Sequence, residues 1–174
     1  MDREPEPPVL RHGRVIVPGT ARQLAVYGLF PPSPIQHREL QGANRIFRAK
    51  ASEPELLWIS FDELCAADAS AGDYRGLAAG AELWVIDGVP APESTDAGRQ
   101  AEAWERFAEV LRELAAAKVA LFVVGARPMD WAAASATAPD AGLRGTFPEI
   151  HRLLARLERV KSDEAVAIER VSGS

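Results

Sequence analysis

The sequence predicts an α/β fold, a small and mostly parallel sheet with flanking helices, and three observations carry that prediction. Glu82 to Asp87 and Val119 to Val124 are short, almost wholly apolar runs closed by Gly88 and Gly125, as expected of strands buried on both faces. Between them Trp104, Phe107, Leu111 and Leu114 recur at helical spacing, while Glu102, Glu105, Glu109 and Glu113 lie largely off that stripe. This predicts a helix over about residues 98 to 117, so residues 82–124 read as a βαβ unit of two parallel neighbours with a right-handed crossover. A C-terminal amphipathic helix is the third observation: Pro148 suits a first turn, and Ile150, Leu153, Leu154, Leu157 and Val160 form an apolar face reaching about Lys161.

The remaining elements follow in chain order. Residues 1–10 begin with a Pro-rich, charged stretch with little to bury and read as a flexible arm ahead of an α/β domain over 11–174. Gly13 to Val17 is a β-branched run stopped by Pro18 and Gly19, hence a strand. Residues 20–30 suit a brief helix, which Pro31, Pro32 and Pro34 terminate. Arg45 to Ala49 alternates as a strand, and Leu56 to Ile59 is a compact apolar run. Ser60 or Asp62 can cap a short helix through Cys65, and Asp73 can cap another through Leu77. Ala132 to Ala141 reads as a loop of small residues, and Val166 to Ile168 as a short edge strand.

Composition narrows the function. The chain has 174 residues, 47% hydrophobic and 26% charged, which is ordinary globular usage. The single Cys65 excludes an intramolecular disulfide and a cysteine zinc cluster, and His12, His37 and His151 are too scattered for a local ligand pair. No apolar run approaches the ~20 residues of a membrane span and no leader pattern opens the chain, so a cytoplasmic protein is expected. Residues 1–50 carry eight Lys/Arg against four Asp/Glu, whereas residues 51–174 carry twelve against twenty-one. An acidic body argues against broad phosphate tracking, and nucleic acid is not the expected partner.

Parallel sheets place ligands at the carboxyl ends of their strands, which directs attention to Asp87, Gly88, Gly125 and Arg127. Asp87 closes an apolar strand, as a Mg²⁺-binding carboxylate does in phosphate-hydrolysing enzymes and as many turn-entry residues also do. A phosphate-cradling loop needs Gly-Lys followed by Ser or Thr, and no Gly-Lys pair occurs in these 174 residues. No independent ATP hydrolysis is expected, no metal site is indicated, and ATP with Mg²⁺ would need a partner bearing that loop. Cys65, in an apolar context, reads as a core thiol, and the four tryptophans as packing. Arg152, Arg156 and Arg159 fall at helical spacing and would either clamp phosphate or form a solvated face.

The order of motifs is similar to a known family. Phe61, Leu64 and Cys65, then Asp73, Tyr74, Leu77 and Ala78, then Asp87, Val89 and Pro90 resemble the C-terminal half of the ZapE-type, or AFG-like, AAA+ ATPases. Arg106 and Phe107 resemble that family's Arg-Phe helix, and Arg152, Arg156, Leu157 and Ser162 its closing arginine helix, so the likeness spans residues 61–162. Leu153 and Ala155 replace the family's Thr and Ser, and Arg112, Ala115 and Ala116 replace its acids and tyrosine. The family's Walker-bearing half has no counterpart here. The resemblance implies an AAA+ relative without a phosphate loop, a non-hydrolytic interaction or regulatory protein whose partner is another protein. Relatives couple ATP hydrolysis to cell division or to mitochondrial protein quality control. Arg152, Arg156, Asp87 and Arg106 are the implied phosphate-sensing or partner-contact residues. Two alternatives stand beside this: half of a split ATPase whose arginine helix completes a partner's nucleotide site, and a generic α/β binding module with a basic N-terminal third.

Overall fold

The structure is a computed structural model that describes residues 7–93, 101–138 and 141–160. Its strands are β1 (Gly13–Ile16), β2 (Arg38–Gln41), β3 (Ile46–Ala49), β4 (Ala51–Ser52), β5 (Leu56–Ser60), β6 (Leu83–Asp87), β7 (Ala120–Val124) and β8 (Glu158–Val160). The helices are α1 (Ala21–Val26), α2 (Phe61–Leu64), α3 (Ala71–Ala78), α4 (Ala101–Ala116), α5 (Trp131–Thr137) and α6 (Ala141–Leu154). Six strands form one sheet in the order β4-β5-β6-β7-β1-β8, parallel except for β4, while β2 and β3 form a separate antiparallel hairpin. The expected mostly parallel α/β architecture is therefore present, with β6, α4 and β7 as its βαβ unit.

Strand alternation divides the core. Leu57, Ile59, Trp84, Ile86, Leu121 and Val123 face α2 to α6, whereas Trp58, Val85, Ile16 and Val124 face a smaller cluster built with Leu24 and Leu29 of the α1 region. Trp104 anchors the larger side, with ring centroids 5.1 Å from Phe61, 5.8 Å from Phe107 and 5.4 Å from Phe147, so α2, α4 and α6 meet on one fully buried indole. Insertion of β1 between β7 and β8 brings backbones very close: Gly13 has φ +127°, and a Cβ there would lie 1.7 Å from the Leu121 carbonyl oxygen.

Several expectations are corrected. Within the loop expected at 132–141, the residues up to Thr137 are helical, because Asp130 caps α5 by accepting the Ala133 N–H and alanine is the best helix former. The last helix ends at Leu154 rather than near Lys161, and Pro148 lies in its interior rather than its first turn. Proline leaves the carbonyl four residues earlier without its helical donor, and here the Ser135 hydroxyl donates to that Arg144 carbonyl at 3.1 Å. Glu158 to Val160 extends instead and pairs with the free edge of β1, so Arg152, Arg156 and Arg159 do not form a helical stripe. Asp73 is not the cap of α3; Ser70 is, with Asp73 completing a capping box. The edge strand expected at 166–168 and the first residues of the helix expected from 98 lie outside the described residues, as does most of the N-terminal arm. Leu10, at the end of that arm, is buried and donates its N–H to the Leu153 carbonyl.

The hairpin is tied down through Asp73. This fully buried carboxylate accepts the Asn44 N–H at 2.7 Å, the Ser70 N–H at 2.9 Å and the Ser70 hydroxyl at 3.0 Å, while Arg45 pairs with Glu63 and Asp68. Burial pushes the Asp73 pKa up, but hydrogen bonds from Asn44 and Ser70 outweigh it and hold the group below its ordinary value. A depressed folded-state pKa contributes stability above the unfolded value of about 3.9 and loses it as pH falls through the folded value. The stability difference between the wild type and Asp73→Asn, read from urea unfolding, should therefore be constant near neutrality at about 1–3 kcal/mol and shrink below about pH 4. A difference that does not change with pH would refute the ionised capping role.

Candidate functional site

In an open parallel sheet the ligand crevice lies at the carboxyl ends of neighbouring strands whose following helices leave on opposite faces. Here those strands are β1, followed by α1 on the thinly covered face, and β7, followed by α5 and α6 on the other. The turn from β1 into α1 is very short. Gly19, at φ +83°, approaches β7 so closely that a Cβ would lie 2.4 Å from Val124 Cγ1. Its polar groups are bonded internally through the fully buried Gln23, whose Oε1 accepts the N–H groups of Gly19 at 2.8 Å and Thr20 at 3.0 Å. Gln23 Nε2 donates to the Val17 carbonyl at 2.8 Å, and the Gln23 N–H donates to Thr20 Oγ1 at 3.1 Å. The N–H groups of Gly19, Thr20 and Gln23, which an anion at this corner would seek, are thus already engaged.

Asp87, at the end of β6, is neutralised in the same self-contained way. Its Oδ2 accepts Lys50 Nζ at 2.6 Å and Trp58 Nε1 at 2.9 Å, while Oδ1 is buried without a hydrogen-bond partner. Lys50 thus supplies the positive charge at this carboxylate. No group of three or more potential metal-ligating His, Cys, Asp or Glu side chains occurs among the described residues. Gly88 and Arg127 are exposed beside this corner, and Gly125 is buried in it. Arg159 lines a 280 Å³ cavity with Val15, Val17 and Asp130, lies 5.7 Å from the Trp131 ring centroid and donates to the Met129 carbonyl.

The other named residues lie elsewhere. Arg106 is largely covered on α4 and pairs with Glu102 at 3.4 Å. Burial drives the nearby Cys65 thiol far above its ordinary pKa, only partly offset by the Arg106 charge, so it stays protonated and unreactive. Burial likewise raises Tyr74, whose hydroxyl donates to the Leu64 carbonyl at 2.8 Å. Arg152 occupies the last turn of α6, next to the Leu153 carbonyl that receives the Leu10 N–H, and Arg156 lies in the turn before β8. Both arginines therefore lie at the amino end of the sheet, opposite Asp87, and the fold does not bring the three together. Gln23 was not singled out from sequence, and Lys50 counted only, with Arg38, Arg45 and Arg48, toward the basic N-terminal third. Thr20 followed three residues later by Gln23 is a legible capping-box signature, whereas nothing local marks Lys50.

The sheet order and the short strand–turn–helix corner define a doubly wound α/β protein. Within that class, the family model for AFG1-like ATPases matches residues 20–169, most of the chain, and the chain belongs to the AFG1-like ATPase family. Comparison with curated proteins and with solved structures finds no match. Among the described residues no helix is long and apolar enough to cross a membrane.

The pairing of Lys50 with Asp87 is measurable. Lys50 is about half exposed, which screens the interaction, so a double-mutant cycle of Lys50→Met and Asp87→Asn should give a coupling of about 1 kcal/mol by urea unfolding. Strict additivity of the two substitutions would show that the carboxylate does not depend on the lysine.

Proposed function

We propose that this AFG1-like family member acts as an interaction or regulatory protein that does not hydrolyse ATP on its own. The single observation carrying the reading is the β1–α1 corner, where buried Gln23 engages the N–H groups of Gly19 and Thr20 that would otherwise face an anion. Two further features support it: the absence of any Gly-Lys pair in the 174 residues and the occupation of Asp87 by Lys50. These residues do not fit a nucleotide triphosphate, which needs free converging donors and an uncommitted lysine. A role in cell division or in protein quality control would then be exercised through contact with another protein, in the cytoplasm or an equivalent compartment.

A second reading draws on the exposure of Arg152 and Arg156, neither of which has a side-chain partner among the described residues. In it, one of these arginines completes the nucleotide site of a Walker-bearing partner approaching the amino end of the sheet. Arg156→Ala in the assembled pair would then abolish most of the turnover.

The preferred reading predicts that the purified chain gives no saturable heat on titration with MgATP and no phosphate release above a heat-killed control. Gln23→Ala should cost about 1–3 kcal/mol in urea unfolding, because it strips partners from buried donors, and should still confer no ATP binding. Robust turnover by the lone wild-type chain would overturn the proposal.

A further inference from the structure

We propose that the amino end of the parallel sheet is a docking surface for an acidic peptide segment of another protein. In this arrangement Arg11, His12 and Lys118 hold its carboxylates, and one of its apolar side chains enters the cavity between them. That cavity measures 360 Å³ and has buried Leu10 and Val119 among its lining residues. Arg11 and Lys118 are the cations that line it, with His12 between them in the lining. Arg14, Arg45, Lys50, Arg75, Arg106 and Arg112 are all committed to ion pairs. Arg11, His12 and Lys118 are exposed and have no side-chain partner among the described residues, and the same is true of Arg152 and Arg156 at this end of the sheet. Arg11 and Lys118, with Arg152 and Arg156 nearby, thus set four cations without an acidic partner among the described residues at one end of the sheet beside an apolar-floored hollow, in a protein of net charge −5.

The frame of the hollow is preformed. The Leu10 N–H donates to Leu153, and the His12 carbonyl accepts the Leu121 N–H at 2.9 Å, so the segment bearing Arg11 and His12 is held at both ends. Lys118 closes α4 at φ +59°, a conformation usually left to glycine at a helix end. Complementing the carbonyl ends of α4 and α6 accounts for Lys118 and Arg152. It does not account for Arg11 and His12, which lie outside any helix, or for the apolar cavity beside them.

Carboxylates suit this end better than phosphate. The helix ends here present carbonyls, which repel a compact dianion, and the backbone N–H groups of Leu10 and Leu121 are already bonded. Singly charged groups spaced along a peptide match the dispersed cations, and the floor rewards an apolar side chain between them. The acidic body of the chain opposes a long nucleic acid or an anionic membrane.

The test is fluorescence anisotropy with a labelled decapeptide alternating glutamate and leucine. Decaglutamate, a labelled single-stranded oligonucleotide and vesicles of phosphatidylserine serve as competing probes. Saturable binding of the glutamate–leucine peptide is expected, weakened at least about tenfold by Arg11→Glu or Lys118→Glu. It should be unchanged by Arg48→Glu on the hairpin, an exposed arginine whose side chain likewise has no partner among the described residues. All three sites are on the surface, and a thermal unfolding curve for each variant confirms folding. Backbone amide shifts of residues 9–12 and 115–119 on adding the peptide to the wild type locate the site without mutation. Equal weakening by Arg48→Glu, equal or tighter binding of decaglutamate, the oligonucleotide or the vesicles, or no saturable binding would each overturn the proposal. The inference rests on the interaction role proposed above, but a chain that binds neither MgATP nor the peptide loses only the docking surface, whereas ATP turnover removes the non-hydrolytic role itself.

Discussion

Placement of β1 between β7 and β8 organises the whole molecule. The strand hydrogen-bonds on both sides in parallel register, and it fits only because Gly13 lets its backbone approach the Leu121 carbonyl. Once β1 occupies that position, α1 must leave toward one face while α5 and α6 leave toward the other, and the corner between β1 and β7 becomes the natural ligand crevice of the sheet. The same placement fixes the other end. Residues before β1 pass beside Leu153 and Lys118, so Arg11 and His12 meet the carboxyl termini of α6 and α4.

The two ends of the sheet differ in their electrostatic state. At the carboxyl end three groups are satisfied locally: Gln23 engages the Gly19 and Thr20 N–H groups of the turn, Lys50 meets Asp87, and Asp130 caps α5. Buried polar groups bonded in this way stabilise the fold and leave little for an incoming anion, because displacing them costs their own hydrogen bonds. At the amino end Arg11, Lys118, Arg152 and Arg156 are exposed and have no side-chain partner among the described residues. Most exposed charges contribute little to stability, so such groups are free to serve association. Asp87 and Arg152, which a motif reading groups together, therefore work in different electrostatic settings on opposite sides of the molecule.

Much of the fold was legible locally. The βαβ unit followed from two apolar runs and one helical stripe, and Ser60 capped the helix as its position suggested. Misreadings arose where local and distant signals competed. Leu157 and Val160 continue the helical spacing of Ile150 and Leu153, yet the free edge of β1 captures residues 158–160 as a strand. Pro148 is read naturally as a helix start, but a Ser135 hydroxyl on a neighbouring helix satisfies the Arg144 carbonyl and lets α6 run through it. The family likeness read from Phe61, Asp73, Asp87 and Arg106 agrees with the family match across residues 20–169.

By itself the sequence determined the fold class, the element types with strong periodicity, the buried and unreactive character of Cys65, and the lack of a Gly-Lys loop. These depend on residue identity and on spacings within a turn or two of the chain, where propensity and capping act. Only the tertiary structure decided that Lys50 neutralises Asp87 across 37 residues of chain, that Gln23 closes the crevice, and that Arg152 and Arg156 share an end of the sheet with Arg11 and Lys118. Those juxtapositions are products of strand order, and strand order is set by pairing between segments far apart in the chain, which no short window of residues encodes.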